Sequence, residues 1–287
     1  MSQKNIENLK KIEALVISDV HLGTFGCKAK ELVSYLKTVD PKTIVLNGDI
    51  VDVWQFSTSY FPKPHLKVIR QLLKMMENGS KIYYIVGNHD ENLRRFIGLT
   101  LGKIEIANKV VLNLNNTKTW IFHGDVFDVV MHHSKWLAKL GANGYGILTL
   151  TNRFVNGVLS LFGKRRISLS RDVKKAVKGK SKNITTRFES TVADLAIKKE
   201  YDYAICGHIH WPEKKLIKTQ NGEVSYLNSG DWVENMTALE YHNEDWHLVY
   251  FKPEMKTNNE SIAANDELLV PNEKTMLKAM LNDIIHN

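Results

Sequence analysis

Three short apolar runs alternate with stretches of helical period, and each run stops abruptly at a polar cluster. No other feature of this sequence restricts its folding as much. Ile12–Ser18 (IEALVIS) contains β-branched residues and reads as a buried strand. Cys27–Val39 has helical spacing through Leu32, Tyr35, Leu36 and Val39. Thr43–Leu46 is the next strand, and His65–Met76 is helical, with Leu66, Ile69, Leu72, Leu73 and Met76 on one face. Lys81–Val86 is a third strand. This order implies parallel pairing through right-handed crossovers, hence an α/β fold.

Beyond Val86 the spacing predicts a helix near Glu91–Ile97, then strands near Val110–Leu114 and Thr119–Phe122. The pattern then changes. Residues 132–162 are helical in two pieces, one with Trp136, Leu137 and Leu140, the other with Ile147, Leu148, Val155, Val158, Leu159 and Phe162. Helical spacing resumes over Ile184–Lys199, and Tyr203–Cys206 is a strand. Val224–Leu227, Thr237–Tyr241 and Trp246–Phe251 read as closing antiparallel strands. The body, 12–252, is thus interrupted by a helical insertion at roughly 129–182, long for a connection in a compact fold. Insertions of that length usually cover or build a site. A mostly polar linker and a short helix over Glu273–Ile285 follow.

At 287 residues the chain fits one large domain with an insertion, and 43% hydrophobic residues exclude a disordered chain. Cys27 and Cys206 form no CxxC pair, which suits a reduced, cytoplasmic protein. Met1–Lys11 is polar and predicts no secretory leader. The apolar stretch 136–162 is broken by Lys139 and Arg153, so it does not supply the ~20 apolar residues of a membrane span. The net charge of +8 is concentrated: residues 164–187 hold ten basic side chains and one acidic, +9 in all, leaving the remainder near neutral. A local patch of this kind suits an anionic partner, although a solvated basic face accounts for the charge equally well.

The polar clusters carry the chemistry. They are Asp19-Val20-His21, Gly48-Asp49-Ile50-Val51-Asp52, Gly87-Asn88-His89-Asp90, His123-Gly124-Asp125 and Gly207-His208-Ile209-His210. Each alone reads as readily as a turn, a cap or a core histidine. Together, at successive strand ends, they would converge on the crevice where open α/β sheets bind ligands. Packing gives no reason for four histidines, two aspartates and an asparagine there. Such a mixed nitrogen and oxygen set suits two divalent ions of the manganese, iron or zinc sort, held close by one shared carboxylate. With ions ~3.5–4 Å apart, a bridging water ionises near neutral pH and can attack a phosphoester.

These motifs resemble the full set of the calcineurin-like metallophosphoesterases. The resemblance spans Asp19 to His210 and implies a four-layer α/β/β/α sandwich. It implies that Asp19, His21, Asp49 and His210 hold one metal, and that Asp49, Asn88, His123 and His208 hold the other. It also implies that His89 stabilises the transition state or protonates the leaving oxygen, and that Asp52 orients it. Within the family, Ser18–Gly23 (SDVHLG), Gly48–Trp54, the helical lid and Asn228–Trp232 (NSGDW) are similar to bacterial UDP-2,3-diacylglucosamine diphosphatases of lipid A synthesis. The implied reaction yields UMP and 2,3-diacylglucosamine 1-phosphate, usually with manganese. The implied partners are a nucleotide-linked lipid and an anionic membrane surface, met from the cytoplasmic face of the inner membrane, with no obligate protein partner. Asn88 and the lid cations Arg171, Lys174, Lys175 and Lys178 are the candidate substrate contacts. The chain departs from the best-known diphosphatases at His89, where they carry Arg. Two alternatives stay open: a phosphodiesterase acting on nucleotides or nucleic acid, and a binding protein on the same scaffold. The insertion's aromatics stand at core-like helical spacing, which disfavours base stacking along a nucleic acid, and no ligand of the motif set is missing.

Overall fold

The computed structural model describes residues 9–52, 61–127 and 188–253. The insertion, its four candidate cations, Trp54 and the C-terminal stretch lie outside the described residues.

The first sheet is built from β1 (Lys10–Ile17), β2 (Val39–Asn47) and β3 (Lys81–Ile85), joined by α1 (Ala29–Leu36) and α2 (Lys63–Glu77). A 3-10 turn (Glu91–Phe96) leads to β4 (Thr100–Leu101) and β5 (Ile104–Ala107), and β11 (Thr237–His242) and β12 (Asp245–Tyr250) add the far edge. Its order is β12-β11-β1-β2-β3-β5-β4. Strands β1, β2, β3 and β5 are mutually parallel, as crossover helices require. The second sheet contains β6 (Lys109–Leu114), β7 (Thr117–Phe122), β8 (Tyr203–Cys206), β9 (Glu213–Thr219) and β10 (Gly222–Asn228), in the order β6-β7-β8-β10-β9. Residues 188–198 form a further helix, α3.

Three apolar clusters give the layering. Leu15, Ile17, Ile44 and Ile82 pack against Leu32, Leu36, Val68 and Leu72, covering one face of the first sheet with α1 and α2. Ala14, Val16, Val45 and Ile85 on its other face meet Leu112, Ile121, Ile205 and Leu227 of the second sheet. The outer face of that second sheet packs Ala204, Cys206 and Tyr226 against Phe188, Val192 and Ala196 of α3. The result is an α/β/β/α sandwich. Trp246 is fully buried between the sheets and donates from Nε1 to Thr119 Oγ1 at 3.0 Å, tying β12 to β7.

Three sequence expectations are corrected. Val39 starts β2 rather than ending α1, because the intervening turn is tight: Thr38 N donates to Tyr35 O at 2.8 Å. Strand β10 does not join β11; it pairs parallel to β8 and antiparallel to β9 in the other sheet. Helix α2 buries His65, Val68, Leu72 and Met75, while Leu66, Ile69 and Leu73 are exposed. That helix is apolar over more than one stripe, so periodicity alone does not say which stripe packs.

Trp246→Ala should lower unfolding stability by about 3–5 kcal/mol in chemical denaturation, as for a large core truncation. Trp246→Phe should cost less, with roughly 1–3 kcal/mol from leaving buried Thr119 unpaired.

Candidate metal centre

Both sheets present the same strand ends to one edge. Asp19 and His21 follow β1, Asp49 and Asp52 follow β2, and Asn88 and His89 follow β3. His123 follows β7, and His208 and His210 follow β8. The loops continue the strand ladder: Asp19 N donates to Gly48 O at 3.1 Å, His21 N to Asp49 O at 2.9 Å and Gly207 N to His123 O at 2.9 Å. The backbone turns sharply at this edge. Asp19, His21, Asp49, His208 and His210 all have left-handed φ, between 52° and 65°. Non-glycine residues seldom adopt that region, and concentrations of it mark functional sites.

Two glycines permit the close approach. A Cβ on Gly48 would lie 2.3 Å from the His123 ring, and one on Gly87 would lie 2.3 Å from Asp49 Oδ1 and 2.9 Å from His123 Nε2. A side chain at either position would displace the site. Backbone donors then fix the carboxylates: His89 N donates to Asp49 Oδ1 at 2.8 Å, and His208 N to Asp19 Oδ2 at 3.1 Å.

The side chains gather into three sets whose potential ligand atoms lie within 4.8 Å of one another. One is Asp19, His21 and His210; another is Asp49, His123 and His208; the third is His21, Asp49 and His89. The first two each hold three of the four residues expected for one half, the first without Asp49 and the second without Asn88, and Asp49 belongs to both the second and the third. Six of the seven expected ligands fall in these sets, drawn from both sheets, and Asn88 lies in the loop after β3 at the same edge. His89 also reaches Asp52: its Nδ1 is 2.9 Å from Asp52 Oδ2. The same Asp52 oxygen lies 3.1 Å from His21 Nδ1. One carboxylate thus orients two imidazoles.

The donor set fits cations better than it fits itself. His123 Nδ1 lies 2.8 Å from the Asn47 carbonyl, which can only accept. Nδ1 therefore carries the proton, and in the neutral ring Nε2 presents a lone pair. That Nε2 is 3.3 Å from Asp49 Oδ2, yet it is buried without a hydrogen-bond partner. His21 donates from Nδ1 to Asp52 in the same way, and its Nε2 is 3.4 Å from His210 Nε2. Asn88 Oδ1 is likewise buried with no partner among the described residues. Acceptors that face acceptors around a common point are what oriented metal ligands look like.

The electrostatics agree. Burial pushes the Asp49 pKa up, but His123, His21 and His89 outweigh it and hold the carboxyl well below its ordinary range. Burial lowers His210, and Asp19, then Asp231 and Asp49, outweigh burial and raise it to about 9. For His123 burial also acts downward, and Asp49 lifts the net value well above an ordinary imidazole. The buried carboxylates demand positive charge, which protons or metal ions can supply.

Sequence reasoning assigned no role to two further carboxylates that hold the loops. Asp90 accepts from Gly87 N at 2.6 Å, Ile50 N at 3.0 Å and Tyr84 OH at 2.6 Å, pinning the Asn88–His89 loop. Asp231 accepts from Val233, Glu234 and Asn235 backbone N–H groups, while Asn235 Nδ2 donates to His210 O at 3.0 Å. Both stand beside motif residues, which is the only signal the sequence offers. Arg171, Lys174, Lys175 and Lys178 fall outside the described residues.

The chain is similar to several known proteins. A UDP-2,3-diacylglucosamine hydrolase of Aliivibrio fischeri (strain MJ11) is 22% identical over 240 residues, covering 82% of this chain and 96% of the relative. The Hahella chejuensis (strain KCTC 2396) protein of the same name is 24% identical over 244 residues, covering 84% and 98%. A solved structure described as a novel archaeal phosphodiesterase aligns at a TM-score of 0.39 and 13% identity, over 83% of this chain and 98% of that one. Residues 12–212 match the family model described as calcineurin-like phosphoesterase, a span that contains every clustered side chain, and the chain therefore belongs to that family of metal-dependent hydrolases.

Proposed function

We propose that this enzyme hydrolyses the pyrophosphate of UDP-2,3-diacylglucosamine to UMP and 2,3-diacylglucosamine 1-phosphate. The observation that carries a two-metal reaction is the buried Asp49 carboxylate, set between the histidines of two facing sheets. Asp19, His21, Asp49 and His210 would hold one divalent ion, and Asp49, Asn88, His123 and His208 the other. Such ions, manganese in this reading and iron or zinc as alternatives, supply Lewis acidity toward the phosphoryl oxygens and generate a nucleophile from water.

The chain's own residues do the rest. Asp49 and Asp19 are fixed by backbone N–H groups, so the donor geometry is set before substrate arrives. Burial lowers the His89 pKa, but the hydrogen bond to Asp52 and the charges of Asp49 and Asp52 outweigh it and raise the net value. The imidazolium is thereby favoured, with Nδ1 directed to Asp52 and Nε2 left to donate to the departing oxygen. Asp52 keeps that ring in place. The insertion, 129–182, joins an apolar aromatic stretch to a basic run. That pairing suits an acyl chain linked to phosphate, with Asn88, Arg171, Lys174, Lys175 and Lys178 as substrate contacts. The same surface suits an anionic leaflet on the cytoplasmic side of the inner membrane. Among the described residues no helix is long and apolar enough to cross a membrane. The names of the relatives support the lipid substrate. His89 favours the second reading, a nucleotide or nucleic-acid phosphodiesterase, since it keeps the broader family pattern.

Assay with Mn²⁺ against UDP-2,3-diacylglucosamine, a nitrophenyl phosphodiester and single-stranded DNA should show the UDP-lipid as the preferred substrate; cleavage confined to DNA would overturn this reading. His89→Ala should retain two metals per chain by elemental analysis and lose about 10²–10⁴-fold in kcat. Equal loss of metal would give His89 a ligand role instead. Asp49→Asn should lower metal content at both positions and abolish turnover; undiminished metal content would refute Asp49 as the shared ligand.

A further inference from the structure

The exposed stripe of α2 has no role in the site. Leu66, Ile69 and Leu73 are 54%, 37% and 41% exposed on successive turns. It continues onto the edge strand. Leu101, 60% exposed, pairs with Ile104, which packs in the same cluster as Val68, Leu72 and Met75 of α2, so Leu101 stands on the α2 side of the sheet. Met76 Sδ closes the gap, lying 3.8 Å from where a Cβ would stand on Gly102. Beside this apolar strip runs a ridge of exposed cations, Lys63, Lys67, Arg70 and Lys74. An apolar strip bordered by cations has the character of a docking surface.

We infer that the C-terminal segment of this same chain, residues 268–285, covers the α2 strip. Its sequence matches the surface in apolar spacing, and the stretch leading into it carries the opposite charge. Leu268-Leu269-Val270 is followed by Met276, Leu277, Met280, Leu281, Ile284 and Ile285, which recur with helical period. Residues 254–273 hold five acidic side chains, Glu254, Glu260, Asp266, Glu267 and Glu273, against one basic, Lys256. Acid before apolar on the tail complements cation beside apolar on α2. The path is also right. Phe251 packs its ring 5.8 Å from Tyr35 of α1 and 6.2 Å from Trp232, so the chain leaves on the side of the sheet that carries α1 and α2. From β12 to β4 there are six strand steps, about 29 Å at ~4.8 Å each. Residues 254–267 can span up to ~46 Å, more than that distance. Because the segment is tethered, its effective concentration is of millimolar order, ahead of any free partner.

The test uses the full chain. Leu73→Cys serves as a reporter, its reaction with a maleimide followed peptide by peptide by mass spectrometry. Adding Leu277→Ser, Leu281→Ser and Ile284→Ser should speed labelling about tenfold, as release of a tethered cover requires. Arg70→Glu with Lys74→Glu should speed it too, and more so at low ionic strength. Equal labelling rates with and without the serine substitutions would overturn the inference. So would protection that appears only on adding phosphatidylglycerol vesicles and is the same in both chains, which would assign the strip to a lipid surface.

Discussion

Two carboxylates, Asp19 and Asp49, sit almost without solvent at the meeting edge of two sheets. A buried negative charge is costly unless positive partners and hydrogen bonds surround it, and much of the architecture at this edge meets that requirement. Backbone N–H groups from the facing loops satisfy one oxygen of each. Imidazoles approach the others: His123 Nε2 lies 3.3 Å from Asp49 Oδ2 and His210 Nε2 lies 3.1 Å from Asp19 Oδ1, their far nitrogens facing the Asn47 carbonyl and Asp231. The left-handed turns at five of these residues are tolerated because the ladder beneath them is continuous.

The order of strands explains how distant sequence becomes local. Parallel β1, β2 and β3 put three loops side by side, while β7 and β8, also parallel, do the same across the interface. The apolar layer between the sheets, with Trp246 and Tyr241 at its heart, sets the separation of the two halves. Packing far from the crevice therefore controls geometry inside it.

Much of this was legible before folding. Strands β1, β2, β3 and β8 are continuous apolar runs because they are buried on both faces, and the site residues announce themselves where those runs stop. Strand β9, EKKLIKT, escaped notice because it is a half-exposed edge guarded by lysines, alternating in burial along its length. The β4 and β5 segments are too short to declare a period. Of the site, the types of the clustered side chains and their chain order were visible. The work of Asp90 and Asp231 was not, since their partners are mostly backbone amides with no signature of their own. Nor could any residue pattern reveal that a main-chain carbonyl at Asn47 decides the tautomer of His123.

The crevice draws on both layers: Asp19, His21, Asp49 and Asn88 come from one sheet, His123, His208 and His210 from the other. Anything gripped by both halves is also a rivet between the layers. Affinity for such a guest and cohesion of the sandwich become a single thermodynamic quantity, so the supply of divalent ions would govern how firmly the two halves of the protein stay together.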